Sequence, residues 1–298
     1  MAMKNHRGSL QVQQLCLQLL VPWCEDDDLR RVLIARGVCD QVRPLLALHV
    51  GDAVVVEHVL ALLRLVTLDD DGRRDCQYVT DSIVHGMQCH EQHARIQTDG
   101  CAVLSNLSID VHAKTVAVVS PAVLDAVTAA LISQATETGL IEWTVVKSAC
   151  FTIKNFLYQE ENQRELASRD DVLQALETLL QKGPRRSKDA VAVLEKLQLA
   201  RVQDESLQAQ VLEALQLIWN KPVPQAMEEI LHVWQEHASR PRILIVSLHQ
   251  MQDMLATHEY TEYDLLERIH DASRTLEDHR DKRVVEEVQR LQAQLMGN

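Results

Sequence analysis

Thr98-Asp-Gly-Cys-Ala-Val-Leu-Ser-Asn-Leu107 and Lys147-Ser-Ala-Cys-Phe-Thr-Ile-Lys-Asn-Phe156 are two copies of one pattern. Each closes on apolar-x-x-apolar. The same ending occurs in Leu17-Gln-Leu-Leu20, Leu62-Leu-Arg-Leu65 and Leu194-Glu-Lys-Leu197. The closing residues, 20, 65, 107, 156 and 197, are 45, 42, 49 and 41 positions apart. A step of about 40–50 residues is the period of all-helical repeat arrays, whose units bury their apolar faces only against their neighbours. The steps are too uneven for the heptads of a coiled coil. An array of this kind offers a long surface for holding something, so the recurrence bears on function before any single residue does.

Outward from these copies the chain divides into units. The first has a helix at Val12–Val21, ended by Pro22 and the acidic turn Glu25-Asp-Asp-Asp28. A short helix from Leu29 closes on Gly37, and Val38–Leu48 forms the next. The second unit repeats the order, with a helix at Val54–Leu68, the turn Asp69-Asp-Asp-Gly72, and a short helix from Arg73. Aspartates in these turns cap free backbone N–H groups and suit the helix dipole. They lack the spacing of a calcium loop. The third unit runs from about Ile96 to Gln134, with a helix start at Ser120-Pro121. The fourth runs from Glu142 to Lys182, and its Glu160–Ala167 occupies the slot of Asp28–Ala35. Gly183-Pro184 then breaks the chain.

Segments 98–107 and 147–156 resemble the third helix of an armadillo repeat, which carries alanine, then leucine, then asparagine-leucine. The likeness covers about residues 9–200, most closely in units three and four. It implies an all-α, right-handed α-solenoid of armadillo-like repeats, with a concave groove lined by third helices. Residues 1–200 would hold about five units, the first incomplete. Residues 201–298 loosen to helical pairs resembling HEAT units. Helices are predicted there at Ser206–Trp219, Gln225–His237, Arg242–Thr257, Tyr263–Leu276 and Val284–Leu295. The last would act as a cap, with Glu286, Glu287, Arg290 and Gln294 on a polar face.

Bulk properties agree with helices joined by short turns. Among 298 residues 46% are apolar but only 3% aromatic, and glycine and proline number 9 and 7. The net charge of −13 opposes nonspecific binding to nucleic acid or an anionic membrane. Seven cysteines without a CxxC pair read as reduced thiols and point to the cytoplasm. No apolar run approaches the ~20 residues of a membrane span. Lys4 and Arg7 in an acid-free start faintly suggest a transit peptide, but the same stretch holds the first repeat copy.

The groove can be read position by position. Just before each closing apolar residue stand Leu19, Arg64, Asn106, Asn155 and Lys196. The resemblance implies that asparagines here bond the backbone of an extended ligand, a role suited to an amide that both donates and accepts. One helical turn earlier are Leu15, Leu60, Ala102, Phe151 and Ala192, where importin-α-type grooves place tryptophans and Phe151 is the aromatic counterpart. A further turn back are Gln11, Val56, Thr98, Lys147 and Lys188. None of these positions is acidic, so Arg64, Lys147, Lys188 and Lys196 are expected to give the groove a positive floor. Trp143, Lys147, Phe151 and Asn155 recur every four residues as one stripe, which Asn106 continues in the neighbouring unit.

His85, Cys89 and His93 share the same spacing and are zinc-type donors, but no fourth ligand stands at a standard spacing. No nucleotide-binding, nucleophile-elbow or zinc-protease motif occurs. The sequence therefore predicts a non-enzymatic scaffold without metal or cofactor. It would bind an extended or helical, acidic segment of another protein. The alternative is a structural subunit of a large assembly. In that case the first helix, with Leu15, Leu17, Leu19 and Leu20, would pack on a neighbour.

Overall fold

The computed structural model describes residues 2–109, 115–136, 140–183, 188–257, 263–279 and 281–297. Pro184, expected to break the chain, lies outside them. Among the described residues the fold is helical, without a strand. The chain divides into two compact units, Met1–Arg201 and Val202–Asn298.

The first unit contains α1 (Ala2–Asn5), α2 (Leu10–Glu25), α3 (Asp27–Ala35), α4 (Val38–Leu48), α5 (Ala53–Val66) and α6 (Asp70–Asp75). It continues with α7 (Thr80–Cys89), α8 (Ala94–Leu107), α9 (Pro121–Thr136), α10 (Trp143–Phe156), α11 (Glu160–Ala167) and α12 (Asp170–Lys182). Two rows of packed helices organise it. The first is α2, α5, α8 and α10, each against the next. The second is α4, α7, α9 and α12, packed in that order. Four of the five closing blocks of the sequence pattern lie in the first row, and the fifth, Leu194–Leu197, lies on the later helix 188–217. Leu17, Leu62, Leu65, Leu104, Ile153 and Phe156 are all buried in the first row. Removing such side chains from water is worth about 1.5–3 kcal/mol each, so the recurring block is the main adhesive of the stack.

Polar contacts repeat with the same period. The Gln13 amide donates to the carbonyls of Met3 (3.1 Å) and His6 (2.7 Å). Gln97 does the same to Met87 (2.8 Å) and His90 (2.9 Å), at identical offsets of ten and seven residues. His49 Nε2 reaches the Arg7 carbonyl, and His90 Nε2 the Val50 carbonyl, both at 2.7 Å. Facing carbonyls, both rings carry the proton on Nε2. The short α1 thus stands to α2 as α7 stands to α8. At the other end of α2, α5 and α10, a residue six positions on caps the last carbonyls. Arg30 donates to Cys24 (3.1 Å), Arg73 to Thr67 (3.0 Å) and Asn162 to Phe156 (3.3 Å). Donors at that place satisfy carbonyls that have no partner within the helix.

Local signals behave as expected in most places. Gly37 sits at φ 73, the left-handed conformation that ends a helix and strains residues with a Cβ. The Asp26 side chain accepts from the N–H groups of Asp28 and Leu29 at the start of α3. Two expectations change. Pro22 does not end its helix, since α2 continues to Glu25. Proline there costs one backbone bond within the last turn, which a helix end tolerates more readily than its middle. The helix predicted to start at Ser206 also has no start of its own there. Helix α13 (Lys188–Leu217) is continuous for 30 residues and crosses the boundary between the units. Its sequence contains no glycine or proline and is rich in leucine, alanine, glutamine and glutamate, so nothing in it favours a break.

The second unit holds α14 (Val223–Glu236), α15 (Pro241–Thr257), α16 (Tyr263–Arg274) and α17 (Lys282–Gly297). Their shared core includes Ile230, Trp234, Leu248, Met251, Ile269, Val284 and Leu291. Trp234 donates its indole N–H to Ser247 Oγ at 2.9 Å, as a buried indole requires. Helix α17 packs on α15 as well as α16. One residue assigned to its polar face is turned inward. Glu287 is 7% exposed, 3.1 Å from His249 Nε2 and 2.5 Å from Arg290.

Candidate ligand groove

The first-row helices place the predicted groove residues as follows. Helix α10 carries Phe151 (53% exposed), Lys147 (exposed) and Asn155 (half-buried). Most other apolar residues of α10 are buried, so Phe151 is an exception on its own helix. Phe156 is the only other phenylalanine in the chain, and it lies fully in the core. Lys188 and Lys196 are exposed on α13. The Lys196 ammonium lies 4.7 Å from the ring centre of Tyr158, an aromatic residue 69% exposed just beyond α10. A cation over a ring face is attracted by its quadrupole. Tyr158 falls outside the helical slots, so the repeating pattern does not mark it.

Trp143 is not part of an open stripe. It starts α10, packs against the core, and lies so close to Gly183 that a Cβ there would come within 2.4 Å of its ring. That contact explains the glycine at the end of α12 and makes Trp143 a packing residue between helices.

The asparagines also differ from expectation. Asn106 donates its amide N–H to Thr67 Oγ1 at 3.0 Å and lies 3.5 Å from the Arg64 carbonyl. Asn155 donates to Ser105 Oγ at 2.9 Å. Each amide therefore ties its helix to the preceding one in the row. The partners Thr67 and Ser105 lie at the end of α5 and on α8, 39 and 50 residues back, where a local motif cannot show them.

The floor is not uniformly positive. Arg64 Nε is 2.8 Å from Asp99 Oδ1, although the N–H is not aimed at the oxygen, so the contact is one of charge rather than an aligned hydrogen bond. Asp99 is one residue past the candidate position Thr98 and so falls outside the slots from which the floor is read. Burial pushes the Asp99 carboxyl upward, opposed by Arg64. Glu57 faces Arg95 at 2.9 Å and His93 at 3.5 Å. Glu57, Arg64, Arg95 and Asp99 line a cavity of about 560 Å³ between α5, α8 and the start of α10, together with Thr98 and Glu142. The Thr98 hydroxyl is buried there without a partner. The cationic character is thus confined to α10 and α13. There Lys154 lies 3.4 Å from Asp189, and Lys147, Lys188 and Lys196 are exposed.

His85 and Cys89 stand 3.8 Å apart on α7, but that helix ends at Cys89, and His93 turns to Glu57. The three do not converge. Among the described residues no three potential metal donors gather. Burial pushes the thiols of Cys24 and Cys101 up to about 11 and about 12. They are held protonated, the opposite of an activated nucleophile. No described helix is long and apolar enough to cross a membrane.

No family model matches the chain, and no curated protein matches it. Among solved structures, it is similar to an engineered protein from the Northeast Structural Genomics Consortium, at 12% identity and a TM-score of 0.40. The match covers 97% of this chain and 65% of that one.

Proposed function

We propose that the chain is a non-enzymatic, armadillo-like scaffold whose repeats form a right-handed solenoid. Its first-row helices would hold an extended or helical segment of another protein. The observation that carries this reading is Phe151, a large apolar side chain left half in water one turn after the exposed Lys147. Aromatic side chains are enriched in the cores of protein interfaces, and an exposed cation beside one steers acidic groups of a ligand toward it. Tyr158 and Lys196 extend it toward α13, so acidic groups of the ligand are met at that end and not over Arg64. The asparagines set the spacing between helices. Ligand contact falls to Phe151, Lys147, Tyr158 and the lysines of α13. Seven cysteines without a CxxC pair support a cytoplasmic setting.

The test begins with crosslinking and capture from native lysate to identify the bound protein. Phe151→Ala and Lys147→Glu are then measured against it. Each is expected to weaken binding about tenfold or more without lowering the melting temperature, because both side chains are exposed. Lys147→Glu should act mainly on the association rate at low salt. Unchanged affinity in both variants would exclude the groove as the contact.

A further inference from the structure

Helix α2 ends the first row, and up to Cys24 its exposed residues carry no charge. Leu15, Leu19 and Trp23 recur every four residues on one face and are 56%, 61% and 51% exposed. From Gly8 to Cys24 the sequence contains no charged residue, although the whole chain carries −13. Charge returns only at the two ends, with opposite sign. Lys4 and Arg7 are exposed before the helix, and Glu25 and Asp28 are exposed after it. Asp28 is held only by a 3.6 Å contact with the exposed Arg31, which constrains it weakly.

We propose that this face of α2 is the contact between two copies of the chain, joined antiparallel about a two-fold axis between Leu15 and Leu19. A two-fold contact sets a surface against itself, so any single-signed patch repels its own copy. A strongly acidic protein needs an uncharged face to self-associate, and α2 supplies one. Antiparallel pairing also lays each copy's Lys4 and Arg7 beside the other's Glu25 and Asp28. A parallel arrangement would set like charges together. The helix has 16 residues, a contact about 24 Å long, with Leu15 meeting the partner's Leu19 and Trp23 covering the partner's first turn. One helix per copy is a small interface, so association is expected in the micromolar range.

Sedimentation equilibrium of the full chain from roughly 1 µM to 1 mM tests this. The mass is expected to rise from 33.8 kDa toward twice that value. Leu19→Glu should hold the chain monomeric with unchanged helical circular dichroism and melting. Arg7→Glu, at an exposed end, should raise the dissociation constant about tenfold, and adding Glu25→Lys to it should restore pairing. A wild type that stays monomeric throughout overturns the proposal and assigns the face to a different protein. A dimer indifferent to both Leu19→Glu and Arg7→Glu overturns it by placing the contact elsewhere. Failure of the Arg7→Glu, Glu25→Lys pair to recover overturns the antiparallel arrangement.

Discussion

The Asn155 amide donates to Ser105 Oγ at 2.9 Å, so the residue that best matched a ligand-binding asparagine is a strut between α10 and α8. Asn106 repeats the relationship one helix earlier through Thr67. An amide half-buried between two helices makes the bond at little cost, because the side chain is not fully taken out of water.

Asn155→Ala is therefore expected to lower stability by about 0.5–1.5 kcal/mol, the range for one intramolecular hydrogen bond. Ser105→Ala should cost a similar amount, and the double variant less than the sum, because both remove the same contact. Chemical denaturation of the three variants checks this. Additive losses would show that the bond contributes nothing.

The first row was legible in the sequence because its signal is local: a closing apolar block every forty-odd residues that places Leu62, Leu104 and Ile153 in the core. The contacts between rows were not. Gln13 and Gln97 reach carbonyls ten residues back, and His49 and His90 reach loops of the preceding repeat. These partners are fixed by the packing of helices, not by adjacency in sequence. Among the candidate groove residues, Lys147 and Phe151 are exposed as a ligand contact requires. The surroundings of the others were not legible, because a neighbour one position off the slot changes the charge, as Asp99 does for Arg64, or a distant glycine takes up an aromatic, as Gly183 does for Trp143.

Asp99 gives a dependence on pH with a definite sign. Its carboxyl is raised in the folded chain because burial outweighs the help of Arg64. Between the unfolded value and the raised folded value, the folded state binds more protons. Its contribution to stability is therefore present at low pH and lost as pH rises through that window. Asp99→Asn removes the buried charge and leaves Arg64, which is 43% exposed, to water. The variant is expected to equal or exceed the wild type in melting temperature at pH 7, with the advantage shrinking toward pH 4. A clear loss at pH 7 would mean that the ion pair dominates.

Arg30 is the buried cation on which the start of the stack turns. Its side chain is 8% exposed. It donates to the Cys24 carbonyl at the end of α2, to Asp27 at 2.8 Å, and through Nε to Asp69 at 2.5 Å. Asp69 belongs to the turn after α5, so one guanidinium fastens the ends of two first-row helices. The Asp69 bond, followed by the Asp27 bond, holds Arg30 even more firmly protonated than a free arginine. Arg30→Ala would strand the Cys24 carbonyl and leave Asp69, whose side chain is 23% exposed, without its cation. The expected loss is about 2–3 kcal/mol, below the full cost of breaking a buried pair because Asp69 keeps some contact with water. Arg30→Lys should recover only part of it, since one ammonium cannot span a carbonyl and two carboxylates in the planar geometry of arginine. Amide hydrogen exchange separates the local effect from global loss. Protection should fall in α2 and α3 before α10 and α12, because Arg30 ties only the first repeats. A uniform fall across both rows would mean that the unit unfolds as a single cooperative block and that Arg30 acts on the whole of it.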